Sequence, residues 1–325
     1  MSTATDLIEN ASGMKAAQLS RRHFVAGMGA LGATAALGLS GCAPKDRAQI
    51  AETGEDEEAE DFDAVIIGTG GAGLSAAIAA YDNGLTNLVL LEKMNVTGGN
   101  TNFSSSGMNA SETKFQKEQG IEDSNDLFAQ ETLDGGHNTG DPELVTFMCD
   151  NSAEAIDWLD SLGITLDNIT LTGGMSVKRC HRPTDGSAVG LTLVPGLVSA
   201  AEERGIPIRM KCEAKELIVN DGAVEGVLVD EGGKSKKLNA HAVILASGGL
   251  GANQEMVTKY RPDLAGYVTT NQPGATGDGY AMAEAVGAEL VQMDQIQIHP
   301  TVEQETSTLI AEGVRGGGAI LVNSE

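Results

Sequence analysis

Residues 68–73 read Gly-Thr-Gly-Gly-Ala-Gly, and Glu92 follows nineteen positions after Gly73. A GxGxxG run makes and breaks no bonds itself. Its glycines let the backbone turn sharply and approach a pyrophosphate, whose charge is attracted to the N-terminus of the helix that follows. An acid about twenty residues further on accepts hydrogen bonds from a ribose diol. Such a run works only between particular neighbours. An apolar strand must lead into it, and residues 63–67 (DAVII) supply one. A helix of small residues must leave it, as 74–81 (LSAAIAAY) does before Asn83-Gly84 ends it. A second strand, 88–91 (LVLL), must carry Glu92 at its end. Together they predict a β-α-β dinucleotide-binding unit that uses Gly68, Gly70, Gly71, Ala72, Gly73 and Glu92.

The segment after the acid selects the dinucleotide. Residues 94–110 (MNVTGGNTNFSSSGMNA) place a second glycine loop directly behind Glu92. A simple NAD-binding unit has no use for that loop, whereas a larger, extended cofactor such as FAD does. Asn100 and Thr101 are then suited to hold phosphate oxygens. The small side chains of Ser104, Ser105, Ser106 and Gly107 let a flavin ring lie against backbone. Other reactive residues are ambiguous by themselves. His299, in an Ile-His-Pro-Thr run, reads alone as a structural histidine satisfied by its neighbours. Glu312 and Arg315 read alone as an ordinary i,i+3 ion pair. Cys149, Cys180 and Cys212 are widely spaced and follow no ligand pattern, so they read as buried thiols with no metal site. There is no C-x-x-C-H for a covalent haem.

Further motifs accompany the glycine run: 181–183 (HRP), 242–249 (AVILASGG), 271–279 (NQPGATGDG), 298–301 (IHPT), 312–316 (EGVRG) and 319–323 (AILVN). From about residue 61 to the last residue the chain resembles the FAD-dependent oxidoreductase 2 family, which includes flavocytochrome fumarate reductases and urocanate-type reductases. The resemblance implies an α/β fold. A Rossmann-like FAD-binding domain would cover residues 63–293, and residues 294–325 would begin a substrate-clamp, or capping, domain. It adds Ala214 and Asp278 to the FAD-binding residues. The implied reaction is hydride transfer from reduced flavin to the C=C bond of a small unsaturated carboxylate, with electrons supplied by a separate cytochrome or flavoprotein. His299 takes the position of a substrate-carboxylate histidine, and Glu312 and Arg315 that of a proton relay. Ala311 departs from the pattern: fumarate reductases carry there a threonine that touches a substrate carboxylate, which argues against fumarate itself. Family members also continue beyond Glu325 with an arginine proton donor, a second clamp histidine, a further substrate arginine and a last flavin-binding glycine loop. The chain therefore reads as C-terminally truncated and, as it stands, inactive. A non-catalytic remnant and a steroid- or amino-acid-type FAD dehydrogenase are the alternatives. His299 with Glu312 and Arg315 favours the reductase over the dehydrogenase.

Between these motifs, residues 124–162 read as helical, with Asp141-Pro142-Glu143 opening one helix and Trp158 on an apolar face. Residues 206–230 read as short strands closed by a turn at 231–233, and 243–246 as a buried strand. The chain has 325 residues, enough for roughly two domains. Its 21 Lys and Arg stand against 46 Asp and Glu, a net charge of -25, and aromatics are 3%. So acidic a surface repels phosphate backbones and lacks stacking platforms, which excludes nucleic acid as a partner.

The first 42 residues read as an address. Arg21-Arg22 precede an uncharged stretch, 24–41, that ends in Leu39-Ser40-Gly41-Cys42. The arginine pair resembles a twin-arginine export signal and the ending a lipoprotein box, so Cys42 is the expected lipidated first residue. An uncleaved anchor is the other reading, made poor by five glycines in the stretch. Both place the remainder outside the cytoplasm, at the outer face of the cytoplasmic membrane, touching lipid only through signal or anchor. Residues 43–62 read as an acidic linker, within a run that holds eight acids between Glu52 and Asp63. Replacing both Arg21 and Arg22 by Lys is predicted to hold the precursor in the cytoplasm. Cell fractionation checks this, and mass spectrometry of the exported form checks for lipid on Cys42.

Overall fold

The computed structural model describes residues 59–310 together with Ile320 and Val322. The address (1–42), nearly all of the acidic linker, and Ala311, Glu312 and Arg315 lie outside the described residues.

The expected β-α-β unit is present. β1 (Glu60–Ile67) leads into α1 (Gly71–Asp82), and α1 into β2 (Leu88–Glu92). β1 and β2 pair in parallel with Ile67 opposite Leu91, so both strands end at one edge of the sheet. Their residues alternate between two cores. Ala64, Ile66, Leu88 and Leu90 face α1, while Val65, Ile67, Val89 and Leu91 face the other side. A strand covered on both faces needs a continuous apolar run, and both runs are continuous. α1 reaches the sheet through Leu74, Ala77 and Ile78, all buried.

β1 starts at Glu60 and so takes in the last three residues of the segment read as linker. Of the acids described there, Glu60 has a cationic partner. Glu60 accepts hydrogen bonds from both terminal nitrogens of Arg209, one at 2.8 Å, and the Arg209 guanidinium lies 5.5 Å from the Phe62 ring centroid. A charge run reads as solvated only when its partner, here 149 residues away, goes unseen.

The chain then forms a short strand β3 (Met108–Asn109) and helices α2 (Lys114–Glu118), α3 (Asn125–Gly135), α4 (Pro142–Asp150) and α5 (Ser152–Ser161). The helical reading of 124–162 therefore resolves into three helices. Ser124 caps α3, and Asp141 caps α4 with Pro142 in its first turn. Trp158 packs, half-buried, against the main core. β4 (Asn168–Thr170) and β5 (Cys180–Arg182) form with β3 a small antiparallel sheet in the order β3-β5-β4. Next come α6 (Gly190–Glu203), β6 (Ile208–Met210), β7 (Cys212–Asn220), β8 (Ala223–Glu231) and β9 (Lys234–Leu245). The large sheet runs β6-β2-β1-β9-β8-β7, parallel from β6 to β9 and antiparallel through the β7-β8-β9 meander. α6 covers the same face as α1 with Leu197, Ala200 and Ala201. α7 (Gln254–Tyr260) and α8 (Asp278–Ala285) complete the helices among the described residues. Residues 294–310 run as loop with one antiparallel bridge, Val302 to Leu309.

The reading of 243–246 as a buried strand needs correction. β9 does run to Leu245, but Ile244 and Leu245 are 36% and 38% exposed. β8 pairs with β9 only as far as Asn239, so beyond that residue, among the described residues, β1 alone flanks the strand.

One buried ion cluster ties the helices to the small sheet. Arg179 and Asp123 have fully buried side chains, with the guanidinium bonded to Asp123 at 2.6 and 3.0 Å and to Glu131 at 2.5 Å. The Phe128 ring lies 4.9 Å from the guanidinium carbon. Beside it, His181 is held between the Arg179 carbonyl at 2.8 Å and the Thr113 hydroxyl at 2.8 Å, and burial pushes its pKa down. Hydrogen bonds from Ser176, with the Arg179 charge behind them, hold Glu131 below the ordinary carboxylate range. The folded form therefore gains from Glu131 above its unfolded pKa, and the gain is lost as pH falls through the lower folded value. Arg179→Met leaves the Asp123 charge buried and unpaired and is predicted to cost about 3–5 kcal/mol in urea unfolding at pH 7. Adding Asp123→Leu to that variant should recover much of the loss.

Candidate functional site

β1, β2 and β9 end side by side, and the loops at that edge enclose a cavity of about 350 Å³. Gly68 turns the chain out of β1 at φ +106°. Its N–H donates to the Leu91 carbonyl at 2.8 Å, and the Ala246 N–H donates to the Ile67 carbonyl at 2.8 Å. Nothing larger than glycine fits at two points. A Cβ on Gly68 would lie 2.4 Å from the Ala246 oxygen, and one on Gly73 would lie 1.9 Å from the Gly68 oxygen. Gly70, Gly71 and Ala72 line the cavity at the N-terminus of α1, where the helix dipole favours an anion.

Glu92 is 7% exposed and borders the same cavity. One of its oxygens accepts from the Thr69 N–H at 3.3 Å and the Thr69 hydroxyl at 2.5 Å, the other from the Met94 N–H at 2.9 Å. A carboxylate has about four acceptor sites, so capacity remains for a ribose hydroxyl. Thr101 and Asn100 follow on the turn that Gly98 opens with φ +98°. The Thr101 hydroxyl accepts from the Gly71 N–H at 3.0 Å. Asn100 donates to the Asn271 side chain at 2.6 Å and accepts from the Gln272 N–H at 2.8 Å. Ala214 and Asp278 complete the expected lining.

Four expected residues sit elsewhere. Gly73 lies beneath the loop, packed on Gly68. Ser105, Ser106 and Gly107 do not border this cavity. They run along β5 and the start of α6: the Ser106 carbonyl accepts from Val189, Arg182 reaches the Ser105 carbonyl, and a Cβ on Gly107 would meet the His181 carbonyl at 2.3 Å. Small residues are needed there for close backbone packing.

The cavity also has lining residues outside the expected cofactor-binding set. Lys93, Cys212, Ser247, Gln272 and Gly274 all border it. Lys93 has a legible signal, since it directly follows the ribose acid. Cys212 has none. Burial pushes its thiol up to about 11, so it faces the cavity as a neutral group.

His299 opens on a second, larger cavity of about 770 Å³, bordered by Tyr267, Asn271, Tyr280 and Gln297 among others. Its Nδ1 accepts from the Thr301 N–H at 3.4 Å. Asn271 joins the two cavities, since it borders the larger one and bonds to Asn100 of the smaller. Glu312 and Arg315, expected beside His299, lie outside the described residues. Among the described residues no group of three or more His, Cys, Asp or Glu is placed to hold a metal ion, and no helix is long and apolar enough to cross a membrane.

The family model described as FAD binding domain matches residues 63–325. The chain belongs to the FAD-dependent oxidoreductase 2 family. It is 50% identical over 275 residues to the NADH:fumarate oxidoreductase of Klebsiella pneumoniae (strain 342), covering 84% of this chain and 30% of that protein. It is 44% identical over 268 residues to the fumarate reductase (cytochrome) of Shewanella frigidimarina, covering 82% and 47%. Among solved structures, the open conformation of a flavocytochrome c3 fumarate reductase matches with a TM-score of 0.78 at 39% identity, covering 82% and 48%. The chain thus spans less than half the length of these relatives.

The residues of this flavoprotein unit fit the adenosine and pyrophosphate part of FAD. The side-chain-free stretch at Gly70 and Gly71 fits phosphate oxygens against the start of α1, and the anchored Glu92 carboxylate fits the ribose diol. Glu92→Ala removes a charge-assisted acceptor and is predicted to weaken FAD binding by about 1–3 kcal/mol, read as a higher Kd in a flavin fluorescence titration. Gly73→Ala, which drives a methyl into the Gly68 carbonyl, should abolish binding in the same assay.

Proposed function

We propose that this chain carries the flavin site of a reductase that saturates the C=C bond of a small unsaturated carboxylate. The observation that carries the reading is the position of His299, on a cavity that shares the Asn100–Asn271 hydrogen bond with the dinucleotide cavity. When bound, FAD in its reduced form supplies a hydride to one alkene carbon. The chain's own residues supply part of what else is needed. His299 binds a substrate carboxylate, which orients the alkene and draws electron density toward the oxygens. Glu312 and Arg315 relay the balancing proton toward the arginine that donates it to the other carbon; arginine is a weak acid, so the relay behind it is part of the device. The product is the saturated carboxylate, and the two electrons come from a separate cytochrome or flavoprotein. Arg21, Arg22 and Cys42 export the protein and anchor it by lipid at the outer face of the membrane. The names of the relatives support the reaction class.

The test is oxidation of reduced viologen by fumarate, urocanate and acrylate, catalysed with FAD bound by a protein of the relatives' full length that carries this chain. The expected result is two viologen electrons consumed per alkene reduced. His299→Ala should lower kcat/KM by about ten- to a hundredfold, the worth of one charge-assisted hydrogen bond. Ketosteroid oxidation with no reduction of any unsaturated acid would contradict the proposal.

A further inference from the structure

The dinucleotide cavity is bordered by three carboxylates, those of Glu92, Glu213 and Asp278, in a chain of net charge -25. FAD brings two more negative charges on its pyrophosphate. Each carboxylate is answered differently. Glu92 accepts from Thr69 and Met94. Glu213 pairs with Lys215 at 2.6 Å, with both side chains well exposed. Asp278 pairs with Lys93, the one cationic side chain on the cavity wall among the described residues.

The Lys93–Asp278 contact is built rather than incidental. The Lys93 ammonium lies 2.5 Å from Asp278 Oδ2 and 2.5 Å from the Thr276 hydroxyl oxygen. The Thr276 hydroxyl in turn donates to Asp278 Oδ1 at 2.8 Å. The side chains are 23% and 34% exposed, so solvent screens the pair only in part. The contact spans 185 residues and joins the end of β2 to the first residue of α8.

We propose that Lys93 is the charge-compensating residue of the FAD site. It neutralises Asp278 and so admits a dianionic pyrophosphate to a cavity walled by carboxylates. It acts through Asp278 and is therefore a positioning residue. The inference rests on the cofactor and not on the substrate, and its test reads flavin binding alone.

FAD is titrated into the flavin-free chain by fluorescence at low and high salt, with the melting temperature of each flavin-free variant measured alongside. Lys93→Met should raise Kd about tenfold or more at low salt, with the gap closing at high salt as the unpaired Asp278 is screened. Lys93→Arg keeps the charge and should bind within about threefold of wild type. The double variant Lys93→Met with Asp278→Asn should recover most of the affinity that Lys93→Met loses. A Lys93→Met chain that binds like wild type would overturn the proposal. So would a double variant no better than Lys93→Met, because Lys93 would then brace the fold or touch the cofactor directly. If Lys93→Met does not fold, Lys93→Arg decides: near-normal binding supports charge compensation and a tenfold loss contradicts it.

Discussion

The Gly68 carbonyl sits 1.9 Å from the point where a Cβ of Gly73 would stand, and most of the site depends on that approach. It requires the first turn of α1 to press against the carboxyl end of β1. The turn then points its N–H groups into the space where β1, β2 and β9 end. Gly68 must also pass the chain just beyond β9, where the Ala246 oxygen lies 2.4 Å from its own missing Cβ. One methyl group at either position would push α1 away from the sheet, and the anion-binding end of the helix with it. The small residues of α1 serve the same end, since Ala77 packs on the sheet without holding the helix off.

The second constraint is charge. A chain with 46 acids must receive a dianion, and it does so with few cations. The means are dipolar and local. The N-terminus of α1 supplies partial positive charge, Cys212 remains a neutral thiol, Thr69 occupies much of Glu92, and Lys93 covers Asp278. The buried Arg179 cluster uses a different means in the neighbouring layer, where two acids share one guanidinium and the Phe128 ring covers it. Through β5, that cluster holds the strand against which Gly107 and Ser106 pack.

How much of this was legible followed the range of each interaction. The β1-α1-β2 unit, Glu92 and the Asp141 cap are encoded within a few turns of chain, and local pattern was enough to read them. Arg179 to Asp123 spans 56 residues, Lys93 to Asp278 spans 185 and Arg209 to Glu60 spans 149. No periodicity reports such pairs, so Glu60 reads as linker, and Lys93, though it follows the ribose acid, gives no sign of its partner. The errors have the same origin. Residues 243–246 carry the apolar composition of a buried strand, but burial depends on how far β8 accompanies β9, and it leaves at Asn239. The small residue at Gly107 is also required by a long-range approach, that of the His181 carbonyl of β5. The roles of His299, Glu312 and Arg315 came from the family resemblance, because each alone fits a structural part equally well.

The central claim is that the edge formed by β1, β2 and β9 is where this chain holds FAD. Hydrogen exchange read by mass spectrometry, with and without FAD, tests it most directly. The account predicts added protection confined to the amides of residues 68–74, 92–101, 246–248 and 272–279, which border or support the smaller cavity. Protection centred instead on the larger cavity around Tyr267 and Tyr280, with residues 68–74 unchanged, would contradict it.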